Sequence, residues 1–242
     1  LTEKADIDSE SKAAAFGGVT SYFDMPNTIP QTTTIENLNQ KFELARQKSH
    51  INYGFFFGAT NSNYSNLKDI DKHRIPGIKL FMGASTGNML VDKYASLLHI
   101  FETASSIGLP IMVHCEDSET INANMDRMRK TYGDDPPVIL HPAIRSEEAC
   151  FESSALATQL AKTFNTRLHI AHISTAREIH LLGGNITGEA VVAHLLVDTN
   201  DYTTKGALIK CNPSIKTSKD RDTLLDAVNR GIISTIATDH AP

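Results

Sequence analysis

Short apolar runs rich in β-branched residues alternate with longer stretches of helical periodicity from one end of this chain to the other, which is the sequence form of a parallel α/β fold. The runs that read as strands are 18–25, 52–60, 77–82, 110–115, 167–173, 186–194 and 232–239. Between them the pattern predicts helices over 6–16, 35–48, 93–107, 117–131, 146–164, 175–182 and 218–230. Ser218 ahead of Asp220, Arg221 and Asp222 has the form of an N-cap with acids in the first turn, while Gly108 and Gly231 stand where helix stops are expected. The polar stretches 61–66 and 132–137 read as surface loops, and 212–217 as a loop over the mouth of a barrel.

Seven strand-like runs are one fewer than a closed (β/α)8 barrel requires, and the opening helix has no strand before it. A barrel reading therefore places the first strand upstream of Leu1, and both Leu1 and Ala241-Pro242 read as cuts in a longer chain. No linker, internal repeat or low-complexity tract interrupts the pattern, so 1–242 is expected to form a single α/β domain, a TIM barrel lacking its first strand.

Four of the apolar runs end in a group able to bind metal: Lys79, His114, His172 and Asp239. Side chains at the C-terminal ends of parallel barrel strands converge on one mouth, so these residue types at these ends form a metallohydrolase pattern. A lone histidine is more often a satisfied core or surface residue, but His114 and His172 at equivalent strand ends support one another as zinc ligands. Lys79 lies inside an apolar strand, where an ammonium must be paired, shifted to neutral or modified. A neutral lysine can react with carbon dioxide to give a carbamate whose two oxygens bridge two metal ions; a salt-bridged barrel lysine is the bland reading. Asp239, followed by His240, is placed to touch a metal and shuttle a proton, against the simpler reading of a capping aspartate. Asn27 in Met25-Pro26-Asn27-Thr28 and Asn212 in Lys210-Cys211-Asn212-Pro213 offer amides suited to a ring containing N–H and C=O groups, although such pairs also mark ordinary turns. Glu189 and His194 read either as further ligands or orienters, or as members of a polar network in the barrel interior.

Composition narrows the partners. Over 242 residues the net charge is −5, with no basic run, which argues against nucleic acid or an anionic membrane as the main partner. Hydrophobic content of 40% and charged content of 21% are those of an ordinary globular protein, and no apolar stretch reaches membrane-spanning length. Cys115, Cys150 and Cys211 lack a C-x-x-C pair and fit reduced thiols, so the cytoplasm is the expected site of action.

Several short strings carry a more specific resemblance. They are Asp24-Met25-Pro26-Asn27-Thr28, Gly77-Ile78-Lys79-Leu80-Phe81, Val113-His114-Cys115-Glu116-Asp117, Ala171-His172-Ile173-Ser174-Thr175, Cys211-Asn212-Pro213 and Thr238-Asp239-His240-Ala241-Pro242. In this order they make the chain resemble the class I dihydroorotases of the amidohydrolase superfamily across essentially its whole length. The resemblance implies a TIM barrel with a metal centre, usually zinc, that reversibly closes N-carbamoyl-L-aspartate to L-dihydroorotate in pyrimidine biosynthesis. It implies two ions bridged by carboxylated Lys79, with His114 and His172 as ligands of the second metal. Asp239 would be a ligand of the first metal and the acid/base, and Asn27, Asn212 and His240 would hold the substrate. A homodimer is one possible assembly. Two departures stand out: the family's His-x-His pair and nearby carboxylate-gripping arginine are absent, and its proline and paired histidines near the end of strand seven are replaced by Val192-Ala193-His194. The runner-up readings are a hydantoinase, dihydropyrimidinase or allantoinase acting on another cyclic amide, and a metal-free homologue serving as a scaffold.

Overall fold

The structure is a computed structural model that describes residues 4–83 and 89–241. Each run expected to be extended contains a strand: β1 (Ser21–Asp24), β2 (Asn52–Phe55), β3 (Phe57–Gly58), β4 (Ile78–Phe81), β5 (Ile111–His114), β6 (Leu168–Ile170), β7 (Ile186–Val191) and β8 (Thr235–Ala237). The run 52–60 yields two strands because its backbone changes partner at Phe56: the Phe56 N–H donates to the Asp24 carbonyl and the Phe57 N–H to the Gly77 carbonyl. The helices are α1 (Ile7–Phe16), α2 (Ile35–Lys48), α3 (Tyr94–Ile107), α4 (Ser118–Tyr132), α5 (His141–Ile144), α6 (Glu147–Phe164), α7 (Val192–Leu196), α8 (Tyr202–Lys205) and α9 (Ser218–Asn229).

The chain divides into two compact units, one of Leu1–Phe81, Ser85–Met112 and His240–Pro242, the other of Met82–Ala84 and Val113–Asp239. In the first, β1 runs parallel to β2, with Ser21 opposite Asn52, and β3 runs parallel to β4, with Gly58 opposite Lys79. Its core is built on Phe55, Phe57, Leu67, Ile78, Leu80, Ile100 and Phe101, all fully enclosed. Each such side chain contributes on the order of 1.5–3 kcal/mol when removed from water. In the second unit β6 and β7 are parallel, as are β7 and β8, and Leu168, Ile170, Ile173, Ala157 and Leu224 fill the interior. β8 lies open, with Ile236 exposed.

Local signals explain where the elements stop. Gly108 takes the left-handed φ of 72° that ends α3, as its position suggested. Three expectations need correction. The N-cap of α9 is Thr217, whose hydroxyl accepts from the Asp220 N–H while Asp220 reaches back to the Thr217 N–H; Ser218 is already helical. The segment read as a helix over 175–182 is a 3₁₀ turn at Arg177–Leu181, opened by buried Glu178, whose carboxylate accepts from the Thr175 N–H and hydroxyl. The strand expected to reach residue 194 ends at Val191, and α7 begins at once, since a hydrogen bond between His194 and the Pro213 carbonyl overrides the β preference of the valines. Among the described residues, no helix is long and apolar enough to cross a membrane.

Candidate active site

In the second unit the C-terminal ends of β5 and β6 lie side by side. The Ala171 N–H donates to the Val113 carbonyl at 3.0 Å, and the Met82 N–H to the His114 carbonyl at the same distance. Gly83, next along the chain, has no side chain where one would strike the Glu116 backbone: a Cβ there would sit 2.6 Å from the Glu116 carbonyl carbon. These contacts fix the strand end that carries His114.

His114 and His172 are brought together as the sequence suggested. His114 Nδ1 lies 3.0 Å from His172 Nε2, the ring centres are 4.8 Å apart at an interplanar angle of 75°, and both residues are buried. His172 holds a left-handed φ of 38°, uncommon for any residue with a Cβ, and Asp239 does the same at 48°. Such backbone costs on the order of 1–3 kcal/mol and concentrates at functional positions.

The pair fits a metal. Two nitrogens held by one zinc at about 2.0–2.1 Å in tetrahedral array are roughly 3.3 Å apart, so an opening of a few tenths of an ångström would admit the ion. Among the described residues no group of three or more His, Cys, Asp and Glu gathers round one point.

Glu116, fully enclosed, supports His114 from behind. Its Oε2 lies 3.0 Å from His114 Nε2 and also accepts from the Arg145 guanidinium, and the carboxylate's second oxygen is buried without a hydrogen-bond partner among the described residues. Burial pushes the Glu116 carboxyl up, but its bond and charge interaction with His114 and the charges of Arg145 and Lys216 outweigh that, holding it below its ordinary value of 4.5. Directly after it Asp117 caps α4 by accepting from the Thr120 N–H at 2.7 Å. Arg145 ends α5, and its carbonyl accepts from the Ser214 hydroxyl at 2.8 Å.

The remaining residues singled out in this unit divide. The oxygen of the Asn212 amide is engaged by His141 Nε2 at 3.1 Å, and the same nitrogen lies 2.9 Å from the Cys211 carbonyl oxygen. Asp239 exerts a charge effect on Cys211 that, together with the larger effect of burial, pushes that thiol up to about 11. Glu189 pairs with His169 at 3.2 Å on the neighbouring strand. His194 is enclosed in α7, with Nε2 3.0 Å from the Pro213 carbonyl, so it acts in holding that loop.

Burial lowers the His194 imidazole to about 4 from its ordinary 6.5. Between these values the unfolded chain binds a proton that the folded chain excludes, so stability rises with pH. The contribution is complete above about pH 6.5 and is lost as the pH falls toward 4, a span worth roughly 3 kcal/mol. Denaturant melts of wild type and His194→Gln at about pH 4.5 and about pH 7.5 should show a smaller acid loss in the variant. Equal losses would remove His194 from the account.

The first unit holds the others. Lys79 is buried on β4, its ammonium 5.0 Å from the centre of the Phe81 ring. Asn27 follows β1 and is exposed, as is His240, whose Nε2 lies 2.5 Å from Glu10. Asp24, of the same string as Asn27, pairs with Lys41 at 2.7 Å. Pro242, which closes the last string, lies outside the described residues.

Sequence reasoning gave no role to Glu116, Arg145 or His141. Glu116 had a signal, being a carboxylate two residues past a strand-end histidine; Arg145 and His141 had none, since both read as ordinary residues before a helix.

Residues 2–242 match the family model of the amidohydrolase family. A dihydroorotase from Methanosphaera stadtmanae is 30% identical over 247 residues, spanning 100% of this chain and 55% of that protein. An allantoinase from Streptomyces avermitilis is 32% identical over 247 residues, spanning 96% of this chain and 53% of that one. Among solved structures, an L-hydantoinase from Arthrobacter aurescens superposes with a TM-score of 0.91 at 25% identity, covering 97% of this chain and 53% of its own. The chain thus spans about half the length of the relatives it matches, and it has the α/β TIM-barrel fold expected of it.

Proposed function

The chain belongs to the amidohydrolase family, and from that premise we propose that it serves a metal-dependent cyclic amidohydrolase whose substrate is L-dihydroorotate or, in the closing direction, N-carbamoyl-L-aspartate. The observation that carries the proposal is the buried His114–His172 pair, with ring nitrogens 3.0 Å apart and His172 on left-handed backbone. His114 and His172 would hold one divalent ion, zinc in this reading. Lys79, as a carbamate, and Asp239 would be the further metal ligands in this reading. A metal in such a site supplies Lewis-acid activation of the amide carbonyl and of water. Asp239 takes the proton from the attacking water and delivers it to the departing ring nitrogen; in ring closure it moves the proton the other way. With its oxygen held by His141, Asn212 offers a substrate its amide N–H donors. Asn27 and His240 are the other proposed substrate contacts, and Lys79 is buried on β4.

Dihydroorotate is preferred because Met25-Pro26-Asn27-Thr28 and Asp239-His240-Ala241-Pro242 have the dihydroorotase form. The second reading, allantoin or a hydantoin, rests on similarity to proteins bearing those names. The intact protein, loaded with zinc, should turn over dihydroorotate with a kcat/KM at least about 100-fold above its values for allantoin, hydantoin and dihydrouracil, the scale of a discriminating polar contact. Preference for another ring replaces the substrate assignment. Absence of turnover and of zinc binding together would leave the scaffold reading.

A further inference from the structure

The face of His114 turned away from His172 is as constrained as the face turned toward it. Its Nε2 meets Glu116 Oε2 at 3.0 Å, and that same oxygen takes the Arg145 guanidinium. We propose that Glu116 and Arg145 are positioning residues for His114. The carboxylate holds the imidazole as its Nε2–H tautomer so that the Nδ1 lone pair faces His172 Nε2, and Arg145 holds the carboxylate. The inference rests on the reading of His114 and His172 as metal ligands.

Three features support it. An imidazole can bind metal through only the nitrogen that carries no proton, so an acceptor at Nε2 decides that Nδ1 is the ligand atom. Glu116 is completely enclosed, and enclosing a carboxylate costs several kcal/mol unless it is paired; here both pairings converge on one oxygen. The backbone around it is committed to this placement as well. Gly83 leaves room for the Glu116 carbonyl, Asp117 caps α4 immediately afterwards, and Ser214 ties down the carbonyl of Arg145.

The test uses the intact metal-free protein titrated with zinc against a chromophoric chelator, alongside nitrogen-15 NMR of the histidine rings. Wild type should show His114 as the Nε2–H tautomer. Glu116→Leu/Arg145→Met removes both charges while keeping apolar bulk, which often leaves stability unchanged. It should lose the tautomer preference and bind zinc roughly 10–100-fold more weakly, with its melting temperature near that of wild type. Should that variant fail to fold, Glu116→Gln, which keeps shape and an acceptor but no charge, is expected to weaken zinc binding by about 10-fold. Wild-type zinc affinity in either folded variant overturns the proposal. His172→Ala separates the two levels: if it binds zinc as wild type does, the reading of the histidine pair itself fails, whereas its loss of zinc beside unaffected Glu116 variants fails only the positioning role.

Discussion

Gly83→Ala should cost the protein several kcal/mol of stability and, where any of it still folds, most of its zinc affinity. The added Cβ would meet backbone rather than a mobile side chain, standing 2.6 Å from the carbonyl carbon of Glu116 and 3.0 Å from its Cα. No rotamer change relieves such a clash; the two chain segments must separate. That movement strains the Met82 N–H bond to the His114 carbonyl and displaces Glu116 from His114 Nε2. Backbone overpacking of this kind falls in the upper tail of single substitutions, roughly 3–5 kcal/mol. Denaturant unfolding and zinc titration of the variant measure the two consequences. A midpoint and affinity equal to wild type would mean that the close approach at Gly83 does not hold the strand end in place.

Asp239→Asn should separate chemistry from structure. Asparagine is one of the few residues that tolerates left-handed backbone, so the φ of 48° at this position is kept and the folded state should lose less than about 1 kcal/mol. The amide cannot accept the proton of the attacking water, so kcat should fall by about two orders of magnitude or more. Because Asp239 is also a proposed ligand, metal content has to be measured with the rates; an emptied site would imitate a lost base. A variant that retained wild-type metal content and a near-normal kcat across pH would end the role of Asp239 as proton shuttle.

The residues that sequence reading found are those whose chemistry clashes with their surroundings. A histidine or lysine closing an apolar run is conspicuous on the page, and His114, His172 and Lys79 are indeed buried. Regular elements were legible for the same reason, because periodicity over a dozen residues is hard to mistake. What escaped depends on chain segments far apart in sequence. Arg145 looks like any arginine before a helix until its bond to Glu116 is seen, and His141 carries no signal until it is found holding the Asn212 amide. His194 reads as a strand residue beside Val191 and Val192, whereas it lies in α7 with a hydrogen bond to the Pro213 carbonyl. Helices as short as α5 and α8 carry too few residues for a period to show.

Within the four residues from His114 through Asp117 the chain sets down an imidazole that faces His172, the carboxylate behind it and the cap of the next helix. Such a stretch tolerates exchange of letters far better than a change of length. Deleting or inserting one residue between His114 and Glu116 would misplace both the carboxylate and the cap relative to the imidazole, since both are measured from the same strand end. Loops elsewhere can grow or shrink as a lineage diverges, and a segment of this kind works as a ruler whose divisions are fixed.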